Sequence, residues 1–499
     1  MSWKKLQNGS DIRGVALEGV QGEELNLLPE VAEVLGKSFV KWLQKNTAQK
    51  DLSVAVGTDS RLSGGILKNA FIAGLQKAGA SVFDCGMAST PAMFMTTIMG
   101  EKATTAGVMI TASHLPFNRN GFKFFTSHGG LDKKDITEIL QIADSKEYSG
   151  WGELTSVNSW SFIDQYSQFL VDYIRQNANI ASNYEKPLHG LKIIVDAGNG
   201  AGGFFASKVL QPLGANTAGS QFLEPDGNFP NHVPNPEDKE AMQSICDAVI
   251  RQKADLGVIF DTDVDRSAIV DTNGNPVNRN ALIAMIAAVV LAEHPGSTIV
   301  TDSITSDGLT KFIETELKGK HHRFQRGYKN VINESIRLNN LGEESWLAIE
   351  TSGHAALKEN HFLDDGAYLV AKLLVQMAKL NSKGRQLTDL IQSLEQAVES
   401  EEFRYVIDDA DFGNYGKNVL SELQSKVAQQ QGWEIVLPNY EGIRVRCTGD
   451  NEKGWFLLRM SLHDPVMPLN IESEVANGVD AIASKLKTLL AEYKALKLK

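Results

Sequence analysis

The sequence predicts an α/β protein of three tandem, related domains followed by a smaller α+β domain, and three observations carry that prediction. The chain has 499 residues, room for roughly three to four domains at about 150 residues each. Short, near-continuous apolar runs recur, each meeting small and polar residues at its carboxyl end, as strands do in sheets covered on both faces. The last hundred-odd residues lose this rhythm and end in a long amphipathic helix.

The first run, Val54-Ala55-Val56, ends at Gly57-Thr58-Asp59. Ile66, Leu67, Ala70, Phe71, Gly74, Leu75 and Ala78 follow at helical spacing, and Ala78-Gly79-Ala80 supplies a stop. Ile193-Ile194-Val195 ends at Asp196-Ala197-Gly198-Asn199-Gly200, Leu256–Phe260 at Asp261, and Ile299-Val300-Thr301 at Asp302-Ser303. The pattern weakens over 141–160, which reads as a linker. The expected domains are 1–155, 156–272, 273–385 and 386–499. The third closes with a helix from Tyr368 to Leu380, and a polar, acid-rich stretch runs from Glu395 to Asp411. In the fourth, strand-like pieces at Trp433–Leu437 and Trp455–Leu462 precede a helix whose apolar face is Val475, Val479, Ile482, Leu486, Leu489, Leu490 and Tyr493.

Composition narrows the function. With 42% hydrophobic and 22% charged residues the chain is not disordered. A net charge of -12 argues against a broad nucleic-acid or anionic-membrane surface, while a local basic pocket for a small phosphate stays open. Cys85, Cys246 and Cys447 lie far apart with no Cys-x-x-Cys pair, so neither a disulfide framework nor a zinc site is indicated and a reducing compartment fits. The N-terminus lacks the apolar core of a secretory signal. The longest apolar run, Ala281–Ala292, is too short to span a bilayer and reads as a buried helix. The expected location is the cytoplasm.

Four clusters carry candidate chemistry. Asp261-Thr262-Asp263-Val264-Asp265-Arg266 sets three carboxylates at alternate positions directly after an apolar strand. In a loop they can converge on one hard divalent cation such as Mg²⁺; read blandly, they form a solvated acidic turn. A calcium loop of the EF-hand type fails, because its sixth position is Arg266 and its twelfth Thr272. A phosphatase using Asp261 as nucleophile is the serious rival. Thr111-Ala112-Ser113-His114-Leu115-Pro116 presents a hydroxyl and an imidazole after the strand-like Ala106–Ile110. It is no Gly-x-Ser-x-Gly elbow, so acyl transfer is not favoured. Lys123, among apolar residues, is either a desolvated acid/base or a snorkelling edge lysine. Glu350-Thr351-Ser352-Gly353-His354 suits vicinal sugar hydroxyls or is a capped turn. Arg459, Ser461 and His463 alternate, so on an extended segment they would face one phosphate together, or else mark an ordinary edge strand. No phosphate-binding P-loop occurs.

Together with Asp11-Ile12-Arg13-Gly14, Val56-Gly57-Thr58-Asp59-Ser60-Arg61-Leu62-Ser63 and Glu224-Pro225-Asp226-Gly227-Asn228-Phe229-Pro230, these clusters resemble the α-D-phosphohexomutase superfamily, in the family's order and over nearly the whole chain. The resemblance implies three related α/β domains with mixed sheets around a central cleft, plus a smaller C-terminal domain. It implies a mutase that interconverts hexose 1-phosphate and hexose 6-phosphate, of mannose and/or glucose, through a phosphoserine at Ser113 and a hexose 1,6-bisphosphate that serves as intermediate and activator. By the same resemblance, Asp261, Asp263 and Asp265 hold Mg²⁺ together with Ser113. Arg13, Lys123, His114 and His354 belong to the catalytic centre. Arg266, Tyr328, Glu350, Ser352, His354, Arg459, Ser461 and His463 contact substrate. The expected partners are small-molecule sugar phosphates, with neither nucleic acid nor membrane, and the expected state is a monomer or homodimer. Leu115, Thr58, His463, Asp464, Pro468 and Ile349 depart from the family pattern. Phosphoglucosamine mutase, the Asp-x-Asp phosphatase and a non-catalytic sugar-phosphate-binding or calcium-binding protein are the alternatives.

Overall fold

Apolar runs that meet polar residues at one end become buried strands whose carboxyl ends carry the chemistry-bearing loops. The computed structural model of the chain describes residues 2–100, 103–148, 156–461 and 464–499. Residues 149–155, part of the expected linker and first domain boundary, and His463 lie outside the described residues.

The first sheet is built from β1 (Gln7–Asn8), β2 (Asp11–Val15), β3 (Ser53–Thr58), β4 (Ser81–Met87), β5 (Ala106–Ile110), β6 (Arg119–Thr126), β7 (Gly129–Gly130) and β8 (Val157–Ser159). Helices α1 (Pro29–Asn46), α2 (Gly64–Lys77), α3 (Thr90–Met95) and α4 (Lys133–Ser145) connect them. The order is β1-β2-β6-β5-β3-β4-β8, with β7 paired to β6. Strands β5, β3, β4 and β8 run parallel, while β6 is antiparallel to both β5 and β2, so the sheet is mixed. Strand β6 alternates: Phe122 and Phe124 join Phe39 and Phe71 in the core, and Lys123 points to the opposite face. On that face Arg13 of β2 stands across from Gly121. A side chain at Gly121 would meet the Ile12 carbonyl at 2.2 Å and Arg13 Cγ at 3.2 Å.

A second sheet, β12-β11-β10-β9, contains β9 (Ile193–Asp196), β10 (Leu256–Phe260), β11 (Ser267–Val270) and β12 (Pro276–Val277), with α5 (Phe162–Ala178) and α6 (Lys239–Gln252). Strands β9 and β10 are parallel; β10 and β11 are antiparallel, pairing Phe260 with Ser267. Residues 261–266 are therefore the turn of a hairpin. Next come α7 (Arg279–Glu293), β13 (Thr298–Asp302), α8 (Asp307–Lys311), β14 (Lys320–Phe324), α9 (Tyr328–Asn340) and β15 (Ser345–Ile349), with β14, β13 and β15 parallel in that order. Helix α7 contains the apolar run Ala281–Ala292 and buries most of it. A short antiparallel pair, β16 (Ala355–Leu357) and β17 (Leu363–Asp364), leads into α10 (Gly366–Asn381).

The last sheet is antiparallel throughout: β18 (Glu399–Ile407), β19 (Trp433–Ile435), β20 (Ile443–Cys447), β21 (Gly454–Leu458), β22 (Val466–Ser473) and β23 (Leu496–Leu498), in the order β19-β20-β21-β22-β18-β23. Helices α11 (Phe412–Val427) and α12 (Gly478–Leu490) share its core through Val419, Leu423, Ile482 and Leu486. Two details differ from the sequence reading. The acid-rich Glu395–Asp411 stretch contains β18, a strand with one solvent-facing side, so only Phe403, Tyr405 and Ile407 face inward and no apolar run announces it. In the strand expected to reach Leu462 the regular part ends at Leu458, and the pairing with β22 runs on in register, Arg459 N donating to the Pro468 carbonyl at 3.1 Å and Ser461 N to the Val466 carbonyl at 2.8 Å.

The fold forms two compact units, Met1–Asn278 with Ser352–Thr388, and Arg279–Thr351 with Asp389–Lys499. The chain crosses between them at Asn278/Arg279, Thr351/Ser352 and Thr388/Asp389. No helix among the described residues is long and apolar enough to cross a membrane.

Two expectations follow from the packing. Helices α1 and α2 touch backbone to backbone at Gly36 and Gly74, where a side chain at Gly74 would meet the Glu33 carbonyl oxygen at 2.1 Å. Gly74→Val should destabilise the protein by about 3 kcal/mol, read as a lowered urea midpoint; an unchanged midpoint would contradict this contact. Asp365 caps α10, accepting from Tyr368 N at 2.9 Å and from the Tyr166 hydroxyl at 2.6 Å. Burial pushes it up from 3.8 to about 6 despite these bonds and one from Asn360. The folded state then holds a proton that the unfolded chain has lost, so this residue's contribution to stability falls as pH rises from 3.8 to about 6 and is level above. Asp365→Asn should gain on wild type in thermal melts as pH is raised through that window.

Candidate active site

The serine loop starts where β5 ends. Ser113 N donates to Thr111 Oγ1 at 2.9 Å, and that hydroxyl donates to Asp59 Oδ2 at 2.6 Å. Ser113 adopts a left-handed backbone, φ 50°, uncommon for a residue with a side chain. Its Oγ donates to Asp261 Oδ2 at 3.1 Å and accepts from Arg266 Nη2 at 3.1 Å. Arg266 Nη2 also donates to His114 Nδ1 at 2.6 Å. A guanidinium cannot accept, so Nδ1 must, which fixes a neutral ring. Burial and then the charges of Arg266 and Arg13 push His114 down to about 2. It therefore brings a neutral dipole, not a positive charge, to Ser113.

The acidic turn closes the other side. Asp261, Asp263 and Asp265 are wholly buried, and each offers an oxygen within 4.8 Å of the others. Val264, at φ 68°, supplies the bend that sets Asp263 and Asp265 side by side. Burial on this scale excludes the solvated-turn reading. Lys123 Nζ reaches Asp263 Oδ2 at 3.0 Å and also pairs with Asp265 Oδ2. It is 5% exposed and sits on an inner strand, so it is no snorkelling edge lysine. Arg266 Nε and Nη2 clasp Asp261 Oδ2 at 3.1 and 3.0 Å, and Thr90 donates to Asp263. Burial, then the charge of Asp265, holds Asp261 well above the usual carboxylate range. Asp265 lies below it, because Lys123, His354 and Arg266 together outweigh its burial. Even so, Asp263 Oδ1 and Asp265 Oδ1 are buried without a hydrogen-bond partner. Unspent carboxylate lone pairs converging in a buried, all-oxygen set fit a hard divalent cation.

His354 reaches this turn from the β15–β16 connection. Gly353 (φ 93°) lets the chain lie against β11, where a Cβ would meet the Ser267 carbonyl at 2.7 Å. His354 Nδ1 is 2.6 Å from Asp364 Oδ2 and 3.8 Å from Asp265 Oδ1. Burial alone would lower its pKa, but these two carboxylates outweigh burial and raise it to about 9. The two histidines beside Arg266 are thus driven to opposite protonation states, the arrangement that separates acid from base in a site.

Of the other sequence-predicted residues, Arg13 and Ser352 lie in this same compact unit, Ser352 opening the segment that carries His354, and Tyr328, Glu350, Arg459 and Ser461 belong to the other. Glu350, at the end of β15, accepts from Gly327 N at 2.6 Å, just before Tyr328 opens α9. Glu441 accepts from Arg326 N at 3.1 Å and from the Ser303 hydroxyl, and lies 3.8 Å from Arg459 Nη1. Tyr328, Glu350 and Arg459 are thereby brought together around one short loop. Arg459 Nε is buried without a hydrogen-bond partner. Ser461 lies just beyond β21 on a segment still paired with β22, its N donating to the Val466 carbonyl at 2.8 Å.

Sequence reasoning singled out none of Asp59, Arg61, Thr90, Asp364 or Glu441. Asp59 and Arg61 stood in a quoted motif, Val56–Ser63; Asp364-Asp365 before a helix reads only as a cap. For Thr90 and Glu441 no local pattern points to the site.

Comparison with known proteins accords with this geometry. Residues 4–149, 168–274 and 278–398 match the phosphoglucomutase/phosphomannomutase α/β/α domains I, II and III. The chain is 33% identical over 474 residues to the phosphomannomutase/phosphoglucomutase of Pseudomonas syringae pv. tomato, covering 95% of this chain and 92% of that one. It is 29% identical to the phosphoglucomutase of Neisseria gonorrhoeae, covering 95% of each. The crystal structure of a phosphoglucomutase/phosphomannomutase family protein from Burkholderia thailandensis superposes with TM-score 0.79 at 27% identity, covering 97% of both chains. Matching three consecutive family domains and a relative of this identity over nearly its full length, the chain belongs to the phosphoglucomutase/phosphomannomutase family of the α-D-phosphohexomutase superfamily, a family of isomerases.

Proposed function

We propose that this enzyme interconverts hexose 1-phosphates and hexose 6-phosphates, of mannose and/or glucose, with Ser113 as carrier of the transferred phosphoryl group. The observation that carries the reading is the position of Ser113 Oγ, hydrogen-bonded at once to Asp261 and Arg266 of the acidic turn. A hydroxyl so placed has a carboxylate on one side and a fixed cation on the other, as a phosphoryl carrier requires.

In the forward half-reaction the bond from Ser113 Oγ to phosphorus breaks, and a sugar hydroxyl forms the new bond and gives up its proton. The product is a hexose 1,6-bisphosphate. After it turns over, the other phosphoryl group returns to Ser113 Oγ and the isomer leaves. The net proton transfer is from the sugar hydroxyl to Ser113 Oγ, which is protonated as its bond to phosphorus breaks. Lys123 is the proposed acid/base group for that transfer, and His354, held by Asp364 at Nδ1, is a proton donor beside it. Arg13 and Arg266 provide fixed positive charge, and neutral His114 orients Arg266 by accepting from it. Asp261, Asp263, Asp265 and Ser113 would hold a Mg²⁺ ion, which when bound neutralises charge on the transferring oxygens. Glu350 and Ser352 suit vicinal sugar hydroxyls. Arg459, whose Nε is unspent, forms with Ser461 and His463 the proposed clamp for the phosphate that is not reacting.

Intact-mass measurement with peptide mapping should find one phosphate on Ser113, and Ser113→Ala should lose about 10³-fold or more in turnover. A variant that keeps its activity and releases inorganic phosphate would favour an Asp261-nucleophile phosphatase; ligand binding without interconversion by wild type would favour a sugar-phosphate-binding protein. Parallel assays on glucose, mannose and glucosamine 1-phosphates decide the sugar. Mg²⁺ added to EDTA-treated protein should raise the melting temperature by mass action, and Asp263→Asn should abolish both that rise and activity. A rise as large in Asp263→Asn would remove this residue from the metal site.

A further inference from the structure

Two stretches that the reaction leaves unused, Val56–Ser63 and Glu224–Pro230, meet at one side chain. Arg61 is 3% exposed. Its Nη1 donates to the carbonyls of Pro116 at 2.7 Å and Arg119 at 2.9 Å, and its Nη2 to those of Leu115 at 2.6 Å and of Ser113 itself. One guanidinium thus satisfies four main-chain acceptors of the serine loop. Asp59 backs it: Oδ1 accepts from Arg61 N at 2.9 Å, and Oδ2, 3.4 Å from Arg61 Nε, accepts the Thr111 hydroxyl that in turn receives Ser113 N. The second stretch closes the other face. The Phe229 ring centroid lies 5.3 Å from the guanidinium carbon, within cation–π range. Gly227 packs so closely that a Cβ would meet the Ser60 carbonyl and Leu62 N at 2.5 Å. All these groups lie in one compact unit.

We propose that Arg61, locked between Asp59 and Phe229, is the positioning residue that holds Ser113 in its left-handed backbone and so aims its hydroxyl at Asp261 and Arg266. The proposal rests on the reading of Ser113 as phosphoryl carrier. Lysine cannot substitute, because a compact ammonium with three donors does not reproduce a planar fork addressing four carbonyls. Arg61 touches neither substrate nor the reacting atoms, so its loss misplaces the carrier without removing any binding group. A misplacement of about 1 Å costs about 10²-fold in rate.

The test is Arg61→Lys in the full chain. The expected result is a urea midpoint near wild type, kcat lowered about 10²-fold with KM within about threefold, and faster amide hydrogen exchange confined to residues 113–119. Phe229→Leu, which leaves the guanidinium in place, should shift kcat and loop exchange the same way by less. It carries the test if Arg61→Lys does not fold, and wild-type kcat and exchange in Phe229→Leu would then overturn the proposal. Wild-type kcat in Arg61→Lys, a change in KM alone, or faster exchange across the whole first sheet with a lowered midpoint would each overturn it as well. Failure of the carrier reading shows separately, as turnover retained in Ser113→Ala.

Discussion

Three carboxylates packed into one six-residue turn repel one another, and the surrounding structure is organised around containing that repulsion. Lys123 and Arg266 bring two positive charges to the turn, and His354, raised to about 9, supplies another. None of these cations is adjacent by accident. Lys123 is there because the antiparallel pairing of β5 and β6 sets it across from Met109 and turns it away from the phenylalanine core. Arg266 is there because the hairpin register pairs Phe260 with Ser267, folding the end of the turn back over its beginning. His354 is there because Gly353 allows the chain to lie on β11. Even with these cations in place, Asp263 Oδ1 and Asp265 Oδ1 keep unspent lone pairs.

Burial is what gives these charges leverage. In water the pairings would each be worth little; here the carboxylates are wholly enclosed, and a single proton or cation changes the balance of the whole cluster. The two histidines illustrate the point. His114 and His354 both adjoin Arg266, yet burial and the charges of Arg266 and Arg13 push the first down while Asp364 and Asp265 outweigh burial at the second, so their proton affinities separate by several pH units. Identical side chains acquire opposite protonation states from their surroundings alone.

Much of this was legible in the sequence, for reasons that particular residues make plain. Val54–Val56, Leu256–Phe260 and Ile299–Thr301 read as strands because parallel strands covered on both faces must be apolar throughout. The spacing of Asp261, Asp263 and Asp265 pointed to three carboxylates gathered in one loop, and the structure buries them together. Strand β18 was hidden, since its backbone is held by β22 and β23 while half of its side chains face solvent and carry charge. Arg61 was hidden differently: its partners are main-chain carbonyls 52 to 58 residues away, and backbone acceptors leave no trace in side-chain chemistry. Glu441 was missed because Ser303 and Arg326 are distant in sequence as well, and Asp364 because an acidic pair before a helix reads as a cap.

The interleaving of the two compact units has a consequence for biosynthesis. Each unit is made of two separated segments, and the one that carries the serine and the acidic turn is completed by Ser352–Thr388. A ribosome that has finished residue 278 has made the three aspartates but neither the imidazolium that counters them nor helix α10, which packs on β11 and α5. The nascent chain must wait through another seventy-odd codons, while part of the second unit emerges, before the first can close. Completion of the earlier unit is thereby tied to translation of part of the later one.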